Sequence, residues 1–362
     1  MSVTVWGGLA TGLVVLAVGA ELLVRGASRL ARRLGISPVV IGLTVVAFGT
    51  SAPELAVSVQ SGLAGQADIA VGNVVGSNIF NILAALGLAA VIAPLVVRQE
   101  LVHFEVPLVT GLSVLFLVMA RDGRISPFDG LLLVGGLVAY TVFAIRKSRR
   151  ENPSVLAEYA KEFGGTTAGW LARLPVQLTF IVSGLGLLVL GATWLVESAV
   201  SIARSFEISE AVIGLTIVAC GTGFPELATS VVAAIRGERD IAVGNVVGSC
   251  VFNLLGIMGV AALVTPGGLS VVPALVFFDI PVMIGAAFAC LPIFATGHRI
   301  ARWEGVLFLA YYAAYVGYLI LGATQHDALH GFSAGMLGFV LPLTAVTLLV
   351  LWAGQRSREQ IR

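Results

Sequence analysis

Residues 41–83 read IGLTVVAFGTSAPELAVSVQSGLAGQADIAVGNVVGSNIFNIL, and residues 213–255 read IGLTIVACGTGFPELATSVVAAIRGERDIAVGNVVGSCVFNLL. The two segments align without a gap at an offset of 172 residues. Self-similarity of this length marks a duplicated unit, and it sets the frame for every shorter motif. Fainter echoes extend it: Phe104-Glu105-Val106-Pro107 matches Phe278-Asp279-Ile280-Pro281, and Arg124-Ile125 matches Arg299-Ile300.

The medium around the repeat is lipid. Hydrophobic residues make up 58% of the chain and charged residues 11%, whereas soluble domains carry about 25% charged residues. A net charge of +1 favours neither nucleic acid nor an acidic substrate. Cys220, Cys250 and Cys290 are an odd set in apolar stretches, which does not suggest a disulfide framework. The N-terminus MSVTVWGG lacks the basic region of a signal peptide and reads as the start of a retained first span.

Crossing a bilayer takes about 20 mostly apolar residues. On that rule spans are predicted near 3–24, 38–64, 69–96, 103–120, 127–145, 175–203, 210–235, 241–264, 271–294, 303–322 and 331–353. Starting outside, the inward loops then collect nearly all the basic residues. These are Arg25, Arg29, Arg32, Arg33, Arg98, the 146–173 segment, Arg236, Arg239, Arg299, Arg302 and the C-terminal arginines. Only Arg121, Arg124 and Arg204 of the 21 Lys+Arg remain outside. That asymmetry predicts an external N-terminus and a cytoplasmic C-terminus, in a multi-pass protein of the cell (inner) membrane.

Each half holds five spans, and an odd number makes the second half enter the membrane from the opposite side. The expected fold class is an all-α polytopic membrane protein of two inverted five-helix repeats plus one extra C-terminal transmembrane helix. Residues 1–145 form the first repeat, 146–174 a cytoplasmic linker and 175–322 the second repeat. Residues 323–362 form an accessory helix and tail. Inverted repeats are a common plan for transporters, with the substrate site at the midplane between halves.

The chemistry lies within the repeat. Gly49-Thr50-Ser51-Ala52-Pro53-Glu54 falls mid-span, as does Gly221-Thr222-Gly223-Phe224-Pro225-Glu226. Proline has no N–H and clashes with the preceding turn, so carbonyls around Ala47–Thr50 and Ala219–Thr222 are expected to leave the helical ladder. Such carbonyls are tolerated at membrane depth only within protein or along a wet cavity, where they can bind cations. An acidic residue at a helix centre costs about 3 kcal/mol on insertion scales, so Glu54 and Glu226 call for a compensating cation. Calcium takes six to eight oxygens; the two glutamates offer up to four. Thr50, Thr222, Ser51, Ser77 and Ser249 are candidates for the rest. Asn73, Ser77 and Asn81 recur at four-residue spacing, as do Asn245, Ser249 and Asn253, which sets each trio on one helix face.

GTSAPE and GTGFPE, each followed by GNVVGSNIFN or GNVVGSCVFN, resemble the α-repeats of the cation/calcium exchanger superfamily, which includes sodium/calcium and calcium/proton exchangers. The resemblance covers about ten spans. It implies an antiporter, not an enzyme, with no cofactor and with calcium and monovalent cations as cargo. It implies that Glu54 and Glu226 hold calcium beside Thr50 and Thr222. Flanking sodium sites would use the Ala47 and Ala219 carbonyls with Ser77 and Ser249, and Asn81 and Asn253 would take central positions. Three departures stand out: Gly223 replaces the Ser51 of the first repeat, Cys250 replaces Asn78, and Asn253 sits where some sodium/calcium exchangers carry aspartate. Sodium and protons both remain open as the driving ion, and a passive cation channel would use similar groups.

Other residues carry blander expectations. Asp68 and Asp240 are expected to be N-caps, Asp129 and Glu304 to form interfacial ion pairs, and Glu21 and Glu197 to pair or snorkel near span ends. Cys220 and Cys250 are read as small buried thiols. The four histidines lie at loop edges, which argues against a histidine metal site.

Overall fold

The computed structural model describes residues 3–99, 101–150, 173–206, 213, 217, 219–347 and 349–350, and it is almost entirely helical. The first helix, α1 (Val3–Leu34), is followed by α2 (Pro38–Thr50), α3 (Ala52–Leu63), α4 (Ala67–Ile92), α5 (Leu101–Ala120) and α6 (Pro127–Arg150). The second half holds α7 (Leu174–Ser205), a helical turn at Ala219–Gly221, α8 (Phe224–Ile235), α9 (Arg239–Val264), α10 (Leu275–Ala295) and α11 (Arg302–Ala323). Helix α12 (Ala328–Thr347) comes last. Among the described residues nine helices are long and apolar enough to cross a membrane, and α2 with α3 forms a tenth span bent by 46° at Ser51. The described part of the predicted 210–235 span is α8 and the turn before it; the 151–172 part of the expected linker lies outside the described residues.

Some boundaries move. The first span runs ten residues past its predicted end, so Arg25, Arg29, Arg32 and Arg33 sit on the last turns of α1 rather than in a loop. Basic residues there also complement the negative end of the helix dipole.

The inverted symmetry is visible in the packing of α1 against α7. A Cβ placed on Gly12 would lie 3.1 Å from the Gly191 carbonyl, and one on Gly19 would lie 2.9 Å from the Gly184 carbonyl. By the repeat offset Gly12 corresponds to Gly184 and Gly19 to Gly191. The two helices therefore cross antiparallel about a pseudo-two-fold axis. Only glycine lets the backbones approach this closely, as at membrane helix interfaces in general.

The halves also interlock at their ends. Strand β1 (Leu95–Val96) pairs with β4 (Arg299–Ile300), and β2 (Arg124–Ile125) with β3 (Leu269–Ser270), both antiparallel. Each bridge joins one half to the other. Tyrosine–carboxylate bonds recur in both halves: Tyr140 Oη donates to Glu105 Oε2 and Tyr315 Oη to Asp279 Oδ1, each at 2.8 Å.

The most buried spans are α4 and α9, which carry the asparagine–serine ladders and form the centre of the molecule. Helix α12 lies outside this body, with no buried residue among those described and one side-chain bond to its neighbour, Tyr311 Oη to Thr344 Oγ1 at 2.6 Å. Its Gly331–Gly335 stretch reads G-x-S-x-G, but it lies within a continuous helix. Ser333 Oγ donates to the Leu329 carbonyl at 2.8 Å, whereas a hydrolase nucleophile sits on a strained strand-to-helix turn.

Polar groups at helix ends behave differently from expectation. The N-caps of α4 and α9 are Gln66 and Glu238, with Asp68 and Asp240 inside the first turn, where a negative charge faces the positive dipole end. Asp129 accepts from the Ser126 amide at 2.9 Å and its hydroxyl at 2.7 Å, and Glu304 accepts from the Ala301 amide at 2.7 Å. Both satisfy helix-start donors, and Glu304 also lies close enough to Arg299 for their opposite charges to attract. Glu21 does pair, with Arg25 at 2.5 Å and with Arg236.

Candidate ion-binding site

Proline builds the two breaks that bring the site together. Pro53 and Pro225 each fall in the first turn of a new helix, where a missing N–H is harmless. Ser51 (φ −84°, ψ 9°) and Gly223 (φ −81°, ψ −4°) are the residues at which the two segments turn. The Ala47 carbonyl keeps its ladder partner, accepting from the Ser51 amide at 3.0 Å. The carbonyl whose ladder donor Pro53 removes is that of Gly49, four residues back. At the second break the Gly223 amide bonds the Cys220 carbonyl at 3.1 Å rather than that of Ala219.

Glu54 and Glu226 follow these breaks, and both are 0% exposed. They lie close enough for their charges to act on each other. Ser51 Oγ donates to Glu226 Oε1 at 2.7 Å across the repeat boundary. Among the described residues, neither Glu54 oxygen nor Glu226 Oε2 accepts a hydrogen bond of good geometry, although the Thr222 hydroxyl stands beside Glu54 and that of Thr50 beside Glu226. Ser77 Oγ, Ser249 Oγ, both polar atoms of Asn81, and Asn253 Oδ1 are also buried without a partner.

The rest of the network is a symmetric frame. Asn73 Nδ2 donates to the Glu54 carbonyl at 3.1 Å and to Ser58 Oγ at 2.9 Å. In the other half Asn245 Nδ2 donates to the Glu226 carbonyl at 3.2 Å and to Ser230 Oγ at 3.0 Å. Thr50 Oγ1 then donates across to Asn245 Oδ1 at 3.2 Å, and Thr222 Oγ1 to Asn73 Oδ1 at 3.4 Å. Each asparagine therefore ties the helix after one break to the threonine of the other. Ser58 and Ser230 were not singled out from sequence, although they align in the repeat four residues after each glutamate. The π-helical turns at Gly42–Val46, Phe80–Leu86 and Asn253–Ile257 had no signal in the sequence. Such turns often mark functional sites, and two of them carry Asn81 and Asn253.

Close backbone contact holds α9 against α2. A Cβ on Gly248 would lie 2.5 Å from Leu43 Cα, and one on Gly244 would lie 2.8 Å from the Val39 carbonyl. The replacement of serine by Gly223 also has a steric cause. A Cβ there would meet the Phe80 ring at 2.5 Å, so the aromatic side chain occupies the space that Ser51 fills in the first repeat.

Buried carboxylate oxygens without donors are costly unless a cation compensates them. The unpartnered set consists of carboxylate, hydroxyl and amide groups, whose oxygens suit hard cations such as calcium and sodium. Among the described residues no three or more His, Cys, Asp or Glu side chains cluster as a metal site. The thiols make other contacts: Cys220 Sγ lies 2.7 Å from Tyr312 Oη, and Cys250, near enough to Glu226 to feel its charge, lines an apolar wall with Ile82, Val109 and Cys290. All three are free.

Comparison with known proteins agrees with this architecture. Residues 4–146 and 176–321 match the family described as Sodium/calcium exchanger protein. A putative antiporter, CaxA of Alkalimonas amylolytica, is 39% identical over 315 residues, covering 86% of this chain and 96% of its own. Sodium/calcium exchanger MaX1 of Methanosarcina acetivorans is 32% identical over 338 residues, covering 85% and 96%. The solved sodium-calcium exchanger NCX_Mj superposes with a TM-score of 0.73 at 31% identity, over 88% of this chain and 99% of that one. The matched segments end at residue 321, so α12 lies beyond them. The chain belongs to the sodium/calcium exchanger family of multi-pass membrane transporters.

Proposed function

We propose that this protein is a secondary active antiporter that exchanges calcium for sodium by alternating access at a midplane site centred on Glu54 and Glu226. The observation that carries this is the set of unpartnered buried oxygens, three of them on the two glutamates. Two adjacent carboxylates with, among the described residues, no cationic side chain bonded to them form a locus of negative charge that an ion can enter and leave. Thr50, Thr222, Ser51, Ser77, Ser249, Asn81 and Asn253, with the Ala47 and Ala219 carbonyls, make up the proposed liganding groups. The asparagine–threonine frame holds the two broken spans in register.

Proton coupling is the second reading, because protons neutralise the same two carboxylates. Inverted repeats with broken spans favour alternating access over a passive channel. The basic-residue asymmetry supports an external N-terminus and a cytoplasmic C-terminus in the cell membrane, with 1–145 and 175–322 as the two repeat units. Calcium uptake into proteoliposomes under an imposed sodium or proton gradient tests the reading. Uptake driven by outward sodium alone supports sodium exchange, a response to protons alone selects the second reading, and flux that ignores both gradients indicates a channel.

A further inference from the structure

The two repeats differ at a buried position that touches the candidate site. Asn78 follows Ser77, whereas Cys250 follows Ser249. Asn78 is bonded at both ends of its amide: Nδ2 donates to Met283 Sδ at 3.5 Å, and Oδ1 accepts from Asn253 Nδ2 at 3.0 Å. A thioether sulfur is only an acceptor. The NH2 end of Asn78 therefore faces Met283, its oxygen faces Asn253, and Asn253 must turn its own NH2 toward Asn78. This chain of bonds fixes an amide orientation that atom positions alone would leave ambiguous. Asn253 Oδ1, buried and without a donor, is the end that remains.

The other half has no such relay. By the repeat offsets Val109 stands where Met283 does, and Cys250 where Asn78 does. Both line the same apolar cavity wall. Among the described residues, Asn81, the counterpart of Asn253, has no partner at either Oδ1 or Nδ2.

We propose that Asn78, anchored by Met283, is a positioning residue that holds Asn253 with its carbonyl oxygen toward the transported ion. An amide ligates a cation only through its oxygen, and its NH2 end would face the ion unfavourably. A neutral amide in this position needs something to orient it; a carboxyl group, with an oxygen at both ends, does not. Asn253 is thus a fixed oxygen ligand and Asn81 a free one, which makes the site unequal between repeats. The inference rests on the reading of Glu54 and Glu226 as the ion site.

The test is calcium binding to the purified full-length protein in sodium-free buffer, measured by calorimetry, alongside the calcium dependence of exchange in proteoliposomes. Asn78→Cys, which copies the residue of the second repeat, should weaken binding about fivefold, the size of one net hydrogen bond. The maximal exchange rate should change less than the half-saturating calcium. Met283→Leu, a swap that keeps volume, should shift binding the same way by a smaller factor, and it serves if Asn78→Cys does not assemble. In an Asn253→Asp background either substitution should shift binding by less than about twofold, because the coupling between contacting residues is then removed. Equal losses in both backgrounds would mean a merely structural role and overturn the proposal, as would no loss in the parent. If Glu54→Gln and Asn253→Ala both bind calcium as the parent does, the ion site itself is misassigned. If those two variants lose binding while the background comparison shows no difference, only the positioning role fails.

Discussion

Gly223→Ala is the sharpest test of the packing around the site. From the repeat alone, serine or alanine at 223 looks benign, since the first repeat carries Ser51 there. The backbone agrees, because φ −81° and ψ −4° are open to any residue. The obstacle is lateral: a Cβ at 223 would sit 2.5 Å from Phe80 Cδ1 and 2.7 Å from Cε1. The ring has little room to retreat. Phe80 is 5% exposed and packs edge-on against Phe224 at 6.4 Å and Tyr312 at 5.5 Å between ring centroids. Overpacking of this kind costs about 1–3 kcal/mol, equivalent to roughly 5- to 150-fold in the folding equilibrium. Thermal unfolding in detergent should show a lowered midpoint for Gly223→Ala and for Gly223→Ser alike. Shortening the ring with Phe80→Leu should recover part of the loss, giving a coupling of at least about 0.5 kcal/mol in a double-mutant cycle. A Gly223→Ala protein as stable as the parent, or a penalty unchanged by Phe80→Leu, would refute the reasoning.

Glu54→Gln and Glu226→Gln each remove one of the two charges proposed to face a divalent ion, and each should abolish calcium exchange in proteoliposomes while the protein still elutes as a folded species. Normal transport by both would reject the site. Asn73→Ala and Asn245→Ala each remove a donor to a glutamate carbonyl and to a serine. Each should lower stability by about 1–3 kcal/mol, read as the melting midpoint, and should slow exchange. The double variant Cys220→Ala/Cys250→Ser should retain calcium exchange, since neither thiol belongs to the oxygen set; a loss of calcium uptake would place a thiol in the site. A single cysteine at position 66 should react with an impermeant maleimide from outside, and those at 155 and 360 only after permeabilisation. Labelling of 66 and 360 from the same side would contradict the proposed topology.

The sequence by itself determined the duplication, the span count and the two glutamates. Each rests on local or periodic information: an ungapped offset, runs of apolar residues, and an acid placed after a proline in mid-span. Inversion followed from counting, because five spans per half reverse the direction of entry. The symmetric hydrogen-bond frame was half legible. Asn73 and Asn245 stood out by their four-residue spacing, but nothing along the chain says that Thr50 reaches Asn245 or that Thr222 reaches Asn73. Those bonds join residues 195 and 149 positions apart, so they exist only once the halves are packed.

Tertiary structure alone decided the differences between the repeats. Gly223 reads in sequence as a lost hydroxyl, and in space it is the cavity that the Phe80 ring fills. Cys250 reads as a broken match to Asn78, and in space it marks the missing half of a relay whose other half runs from Met283 to Asn253. Helix starts followed the same rule: Asp129 and Glu304 lie near arginines along the chain, yet their bonds run to backbone amides of the preceding turn. A repeat aligns residues by position. Hydrogen bonding and close packing depend on which side chains arrive from the other half, and that is set by the way α4 and α9 are enclosed by the helices around them.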